Sequence, residues 1–178
     1  MEHISQKIKL KAQKIKVIVT DVDGVLTDGA VFIAADGTEP FARFNIHDGL
    51  GTIHAREFGI DTVVLSGRKS LCVEARCRDL GVKNAYTGVK DKHAKILEIV
   101  KEMQVEFDEV AYLGDDVIDL RAMSLVGLKI APQNALLCVK ERVDYITRLS
   151  GGEGVLREVI NLILQCQNKH DAYLQKFI

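Results

Sequence analysis

Val17-Ile-Val-Thr20-Asp21-Val-Asp23-Gly24-Val25 decides how the chain reads. The apolar run from Ile15 to Val19 has the composition of a strand buried on both faces of a parallel sheet. It ends abruptly at two carboxylates and a glycine. Carboxylates where a buried strand emerges are costly unless something pairs with them, and a divalent cation is the usual partner. Glycine just beyond lets the backbone approach a ligand closely. In open α/β sheets, ligands bind at the carboxyl ends of strands. The opening strand therefore predicts a metal-assisted site.

Working outward, strand-like runs alternate with helical patterns. Asp61–Leu65, Asn84–Tyr86, Val110–Leu113, Leu128–Ile130 and Tyr145–Ile146 read as strands. Helical spacing runs over Lys69–Leu80, Lys92–Met103, Asp116–Leu125, Leu136–Glu141 and Val155–Gln165. This alternation predicts an α/β fold: a doubly wound, mostly parallel sheet with helices on both faces. One segment breaks the rhythm. Ala30–Ile33 and Phe41–Phe44 flank Asp36-Gly37, which predicts a β-hairpin inserted at about residues 30–45. The gaps after the first and second strands hold nothing larger, so no cap domain is expected. With 178 residues and no linker, the chain reads as a single domain with a tail at 166–178.

Lys+Arg 24 against Asp+Glu 25 leaves a net charge of −1, which argues against a general nucleic-acid or membrane binder. There is no membrane-length apolar run and no signal-peptide pattern. Cys72, Cys77, Cys138 and Cys166 lack C-x-x-C spacing and read as small packed side chains in a reducing cytoplasm.

Three strand ends carry chemistry: Asp21 with Asp23, Ser66 in Leu65-Ser-Gly-Arg68, and Asp115 with Asp116 after Gly114. Lys92 opens a helix between the last two. Carboxylates from two strand ends suit Mg²⁺, which takes few protein oxygens. A hydroxyl and an ammonium at the same mouth suit phosphoryl oxygens.

These four motifs resemble those of the haloacid-dehalogenase (HAD) superfamily of phosphatases. The finer resemblance is to the 3-deoxy-D-manno-octulosonate 8-phosphate (KDO 8-phosphate) phosphatase family, carried by Asp23-Gly-Val-Leu-Thr-Asp-Gly29, Phe44-Asn-Ile-His-Asp-Gly49, Leu65-Ser-Gly-Arg68, Tyr112-Leu-Gly-Asp-Asp116 and Gly151-Gly-Glu-Gly-Val-Leu-Arg-Glu158, over roughly residues 14–167. The resemblance implies Asp21 as nucleophile, Asp23 as acid and base, and Ser66 and Lys92 on the phosphoryl oxygens. It implies Mg²⁺ on Asp21, the Asp23 carbonyl and Asp115, with Asp116 and Asp119 orienting the surroundings rather than ligating. Asn45, Ile46, His47, Asp48 and Gly49 match the family's substrate loop, with His47 where Arg is common. Arg68 and Arg76 match basic residues associated with the sugar acid, alongside Asp23 and Lys92 as substrate contacts. The family solution to an uncapped site is a cytoplasmic homotetramer in which hairpins associate. The resemblance implies hydrolysis of KDO 8-phosphate for lipopolysaccharide sugar synthesis. The alternatives are a phosphatase of a nonulosonic (sialic-acid-like) acid 9-phosphate and a catalytically silent regulatory relative. Arg68 favours the first over the sister phosphatase, which tends to be acidic there.

Overall fold

The structure is a computed structural model that describes residues 4–178. Its elements run α1 (Gln6–Ala12), β1 (Val17–Thr20), α2 (Ile46–Ala55), β2 (Asp61–Leu65), α3 (Leu71–Asp79), β3 (Asn84–Tyr86), α4 (Lys92–Met103), β4 (Val110–Leu113), α5 (Leu120–Met123), β5 (Leu128–Ala131), α6 (Leu137–Lys140), β6 (Tyr145–Ile146), α7 (Val155–Cys166) and α8 (His170–Leu174). The six strands form one sheet in the order β3-β2-β1-β4-β5-β6, with every neighbouring pair parallel.

Alternation along β1 assigns the two faces. Val17 and Val19 join a core with Tyr112, Ile96, Ile99 and Met123 under α4 and α5. Ile18 joins the opposite core with Leu113, Val159, Ile160 and Ile163 under α7. Both faces are thus covered, as a central parallel strand requires. Among the described residues, no helix is long and apolar enough to cross a membrane.

The strand order reverses around β1. The chain lays β2 and β3 on one side of it and β4 onward on the other. Thr20 pairs with Leu113 as the two strands end level, and the Asp21 amide donates to the Leu113 carbonyl at 2.9 Å. Asp21 and Asp115 therefore emerge side by side at the switch point, where such sheets bind ligands.

The expected hairpin differs in detail. Residues 30–45 hold no regular strand. One bond joins the arms next to the turn, from the Ala34 amide to the Thr38 carbonyl at 2.9 Å, and the Phe32 and Phe41 rings meet at 4.7 Å. Pro40 has no amide to give to a ladder, and a lone two-stranded ribbon is marginal in water. Val31, Ile33 and Phe41 are exposed, whereas Phe44 turns inward onto the cluster of Val22, Val64, Val73 and Cys77. The tail folds back on its own chain. Tyr173 is buried against Phe58, His54 and Phe177, with the Arg157 guanidinium 5.2 Å from its ring.

Candidate active site

A cleft of about 520 Å³ opens over the carboxyl ends of the central strands, and Asp21, Asp23, Arg68, Lys92, Asp115 and Asp116 are among its lining residues. Asp21 is buried; its Oδ1 accepts from the Val22 amide at 2.8 Å and its Oδ2 meets Lys92 Nζ at 2.7 Å. Lys92, the first residue of α4, is 4% exposed and also donates to Asp119 Oδ1 at 2.8 Å. An ammonium so buried is sustained only by the two carboxylates it bridges. Burial pulls Lys92 down, but Asp21 and Asp119 outweigh it and hold it above its ordinary value.

Asp119 explains the placement. It is fully buried in the 3₁₀ turn Val117–Asp119, and four donors surround it. Lys92 and the Tyr112 hydroxyl, the latter at 2.8 Å, serve Oδ1, while the Asp115 and Asp116 amides serve Oδ2 at 3.2 and 3.4 Å. Gly114 makes room for this: a Cβ there would lie 2.5 Å from Asp119 Oδ2. Oxygens of Asp21, Asp115 and Asp119 lie within 4.8 Å of one another. Asp119 has its oxygens committed, so Asp21 and Asp115 are the two with capacity to spare. Asp116 caps the turn through the Val117 amide.

The donor set fits a hard divalent cation. Burial, then the charges of Asp21, Asp119 and Asp116, push Asp115 up to about 7. Burial and Asp119 push Asp21 up to about 6 against the pull of Lys92. A cation reverses such shifts, and carboxylate oxygens are the ligands Mg²⁺ takes. Gly24, at φ +76°, keeps the approach open, because a Cβ there would sit 2.1 Å from Asp115 Oδ2.

The rim is built around Arg68. Ser66 Oγ is buried, accepts from the Arg68 amide and donates to the Arg68 carbonyl, both at 3.1 Å, closing the Ser66-Gly67-Arg68 turn. The Arg68 Nη1 donates to Asp23 Oδ1 at 3.3 Å. Asp23 is thus half-exposed at the mouth while Asp21 is sealed below.

Other residues singled out in the sequence lie elsewhere. Asn45 is the N-cap of α2, accepting from the His47 amide at 2.9 Å and donating to the Gly152 carbonyl at 3.3 Å, so Asn45–Gly49 is a helix start rather than a free loop. Ile46 is exposed, and His47 lines a separate groove beside Arg148 and Arg157. Asp48 is buried and accepts from the Arg157 amide at 2.8 Å, capping α7 from outside; burial lifts its carboxyl to about 6. Arg76 lies over Gly49 and pairs with Asp79 at 2.7 Å. Within one chain none of Asn45, Ile46, His47, Asp48, Gly49 and Arg76 lines the cleft.

Three contributors escaped the sequence reading. Tyr112 stood in a family motif but with no role, and its hydroxyl holds Asp119. Asn134 bridges the Gly24 carbonyl at 2.9 Å and the Gly151 amide at 2.6 Å, and its place just past β5 was the available signal. Glu39 meets Arg68 from the 30–45 segment, with nothing local to mark it.

Residues 85–159 match the family model of haloacid dehalogenase-like hydrolases. The chain is 38% identical to the KDO 8-phosphate phosphatase of Escherichia coli, over 94% of this chain and 89% of the relative. A crystal structure of KDO 8-phosphate phosphatase from Moraxella catarrhalis, in complex with magnesium, phosphate and KDO, superposes with a TM-score of 0.92 at 37% identity, covering 97% of this chain and 98% of that one. The cobalt-bound phosphatase of Haemophilus influenzae gives 0.88 at 38% identity, covering 91% and 94%. With that identity over nearly its whole length, and with the strand-end carboxylates in place, the chain belongs to the KDO 8-phosphate phosphatase family of the HAD superfamily.

Proposed function

We propose that the protein hydrolyses KDO 8-phosphate to KDO and phosphate with Mg²⁺, in the cytoplasm, serving lipopolysaccharide sugar synthesis. The observation that carries this reading is the convergence of Asp21, Asp115 and Lys92 at the switch point, beneath a rim where Arg68 meets Asp23. Mg²⁺ held by Asp21, the Asp23 carbonyl and Asp115 supplies positive charge to the phosphoryl oxygens.

An Asp21 oxygen attacks phosphorus, the ester P–O bond breaks, and the departing sugar oxygen takes a proton from Asp23. Water then attacks the aspartyl-phosphate and gives its proton to Asp23. The bond to Asp21 breaks and phosphate leaves. Lys92, already 2.7 Å from Asp21, offsets charge on the transferring group. Ser66 contributes by turning its hydroxyl from the Arg68 carbonyl toward a phosphoryl oxygen. Arg68 is the candidate for the sugar carboxylate, since a guanidinium fork suits that group.

His47 and Arg76 do not line this cleft, so a role for Asn45–Gly49 and Arg76 in recognition requires a second chain. A homotetramer supplies one. Exposed Val31, Ile33 and Phe41, with Ile46, Leu50 and Ile53 along α2, are the apolar surface available for it. Light scattering at micromolar concentration tests the assembly, and a fully active monomer would refute it. The function is tested by phosphate release from KDO 8-phosphate and from a nonulosonic acid 9-phosphate, with Mg²⁺ and with chelator. Preference for the 9-phosphate would replace the proposed substrate, and activity in chelator would remove the metal.

A further inference from the structure

Arg68 has a second partner besides Asp23: its Nη2 meets the Glu39 carboxylate. Glu39 reaches it from a tip that builds itself. Gly37 turns the chain at φ +82°, and the Thr38 amide and hydroxyl donate to Asp36 Oδ1 at 3.0 and 2.7 Å. The Phe32 and Phe41 rings brace the two arms. Pro40 biases Glu39 to extended backbone. Cys72 Sγ donates to the Glu39 carbonyl at 3.7 Å, tying the segment to the first turn of α3. Local structure thus delivers this carboxylate to the guanidinium.

Resting on the sugar-acid reading above, we propose that Glu39 is a specificity-determining surrogate for the substrate carboxylate, holding the Nη2 edge of Arg68 until a sugar acid displaces it. A guanidinium recognises a carboxylate best through two parallel N–H bonds. With Nη1 on Asp23, the edge toward Nη2 is the one left, and it accepts one anion at a time. Arg68 and Glu39 are each about one-third exposed, at 38% and 33%, so their exchange is a partly wetted one and costs little. A phosphate ester without a carboxylate gains nothing by displacing Glu39. The contact keeps Arg68 paired and aimed while the cleft is empty, and the substrate's own carboxylate opens it.

The test compares parent, Glu39→Gln and Glu39→Asp on KDO 8-phosphate and on p-nitrophenyl phosphate with Mg²⁺. In Glu39→Gln the ratio of the two kcat/KM values should shift toward the sugar acid by roughly two- to fivefold, the span of an exposed ion pair, through KM rather than kcat. Glu39→Asp should return toward the parent ratio. A ratio that is unchanged or falls overturns the proposal. A second readout needs no sugar: in a Cys138→Ser background, Glu39→Gln and Arg68→Ala should each speed thiol labelling of Cys72 severalfold, because the same contact holds the tip down. Unchanged labelling also overturns it. If the parent fails to hydrolyse KDO 8-phosphate, the substrate reading falls, and the labelling still decides Glu39.

Discussion

Asp119→Asn probes the carboxylate of the site whose two oxygens are already taken up by protein donors. The carboxylate is fully buried and receives four donors, two on each oxygen. An asparagine keeps the shape but must point an NH₂ at one pair. Facing Oδ2's partners, it confronts two backbone amides; facing Oδ1's, it confronts an ammonium and a hydroxyl. The Tyr112 hydroxyl can turn and accept, but Lys92 cannot. One charge-assisted bond to Lys92 is weakened, at about 1.5–3 kcal/mol, and a buried donor is left unmatched at about 1–3 kcal/mol. Lys92 keeps Asp21 at 2.7 Å, and Asp21 and Asp115 are relieved of a neighbouring charge, so the lower halves of these ranges apply. A loss of about 3 kcal/mol is expected, or about 6–12 °C in Tm for a chain of this size. Urea unfolding followed by circular dichroism, in chelator and at pH 7.5, measures it. Tyr112→Phe removes one hydroxyl from the same carboxylate and should cost about half as much. Asp119→Asn within about 1 kcal/mol of the parent, or Tyr112→Phe the more damaging of the two, would refute the reasoning that Asp119 is the anchor of Lys92.

With Asp21 as the proposed nucleophile and metal ligand, Asp21→Asn should leave less than about a thousandth of the parent rate, measured as phosphate release, because both roles need its charge. Asp23→Asn should fold and turn over sugar phosphate very slowly, with the defect shrinking on p-nitrophenyl phosphate, whose leaving group needs no proton; equal losses on both would argue against the acid role. In chelator, Asp21 at about 6, Asp48 at about 6 and Asp115 at about 7 all lie above their ordinary 3.8. The folded state then binds more protons than the unfolded one between about pH 4 and 7, so stability should rise on acidification through that window and level off below it. Mg²⁺ competes with those protons at Asp21 and Asp115, so its affinity by calorimetry should fall below pH 7, by up to about tenfold per unit for each proton displaced; an affinity flat from pH 5 to 7 would contradict the shifts. Gly24→Ala should cost metal affinity and activity more than fold, since its methyl would lie 2.1 Å from the Asp115 carboxylate; calorimetry beside thermal unfolding separates the two.

The parallel sheet and the placement of Asp21, Ser66 and Asp115 on strand ends were legible because burial on two faces leaves a continuous apolar run with a sharp polar end. Strand limits moved by a residue or two, as for β1, which runs Val17–Thr20 rather than Ile15–Val19. What stayed hidden depends on residues far apart in sequence. Nothing near Asp48 announces that it caps a helix beginning at Val155. Nothing near Gly151 announces that it lies against Gly24, where a Cβ would stand 2.0 Å from the carbonyl; the pair Gly151–Gly152 packs on the first loop of its own chain. The helix α1 was missed for a different reason. It has seven residues, three of them lysine, and buries only Ala12 of its own side chains, so its periodicity is faint. Its partly buried neighbour contact, Ile8 on the core under α7, is a tertiary effect.

The charge balance of the cleft gives the metal a role before any chemistry begins. Asp21, Asp23, Asp115, Asp116 and Asp119 crowd one strand-end face, against Lys92, Arg68 and Lys90. Lys92 and Arg68 are already committed to carboxylates in the cluster. Lys92 sustains Asp21 and Asp119, and Arg68 touches Asp23. Among the described residues no ion pair is made to Asp115, whose carboxyl is raised by burial and then by the charges of Asp21, Asp119 and Asp116 to about 7. A nucleophile must be ionised to attack, and so must a ligand to hold metal. On the proposed mechanism, two positive charges placed beside Asp21 and Asp115 would lower both carboxyls together, so one binding event would ionise the proposed nucleophile and complete its electrostatic surroundings. The fold makes this coupling local: β1 and β4 are neighbours, their ends are level, Gly24 leaves room for the Asp115 carboxylate, and Gly114 leaves room for Asp119.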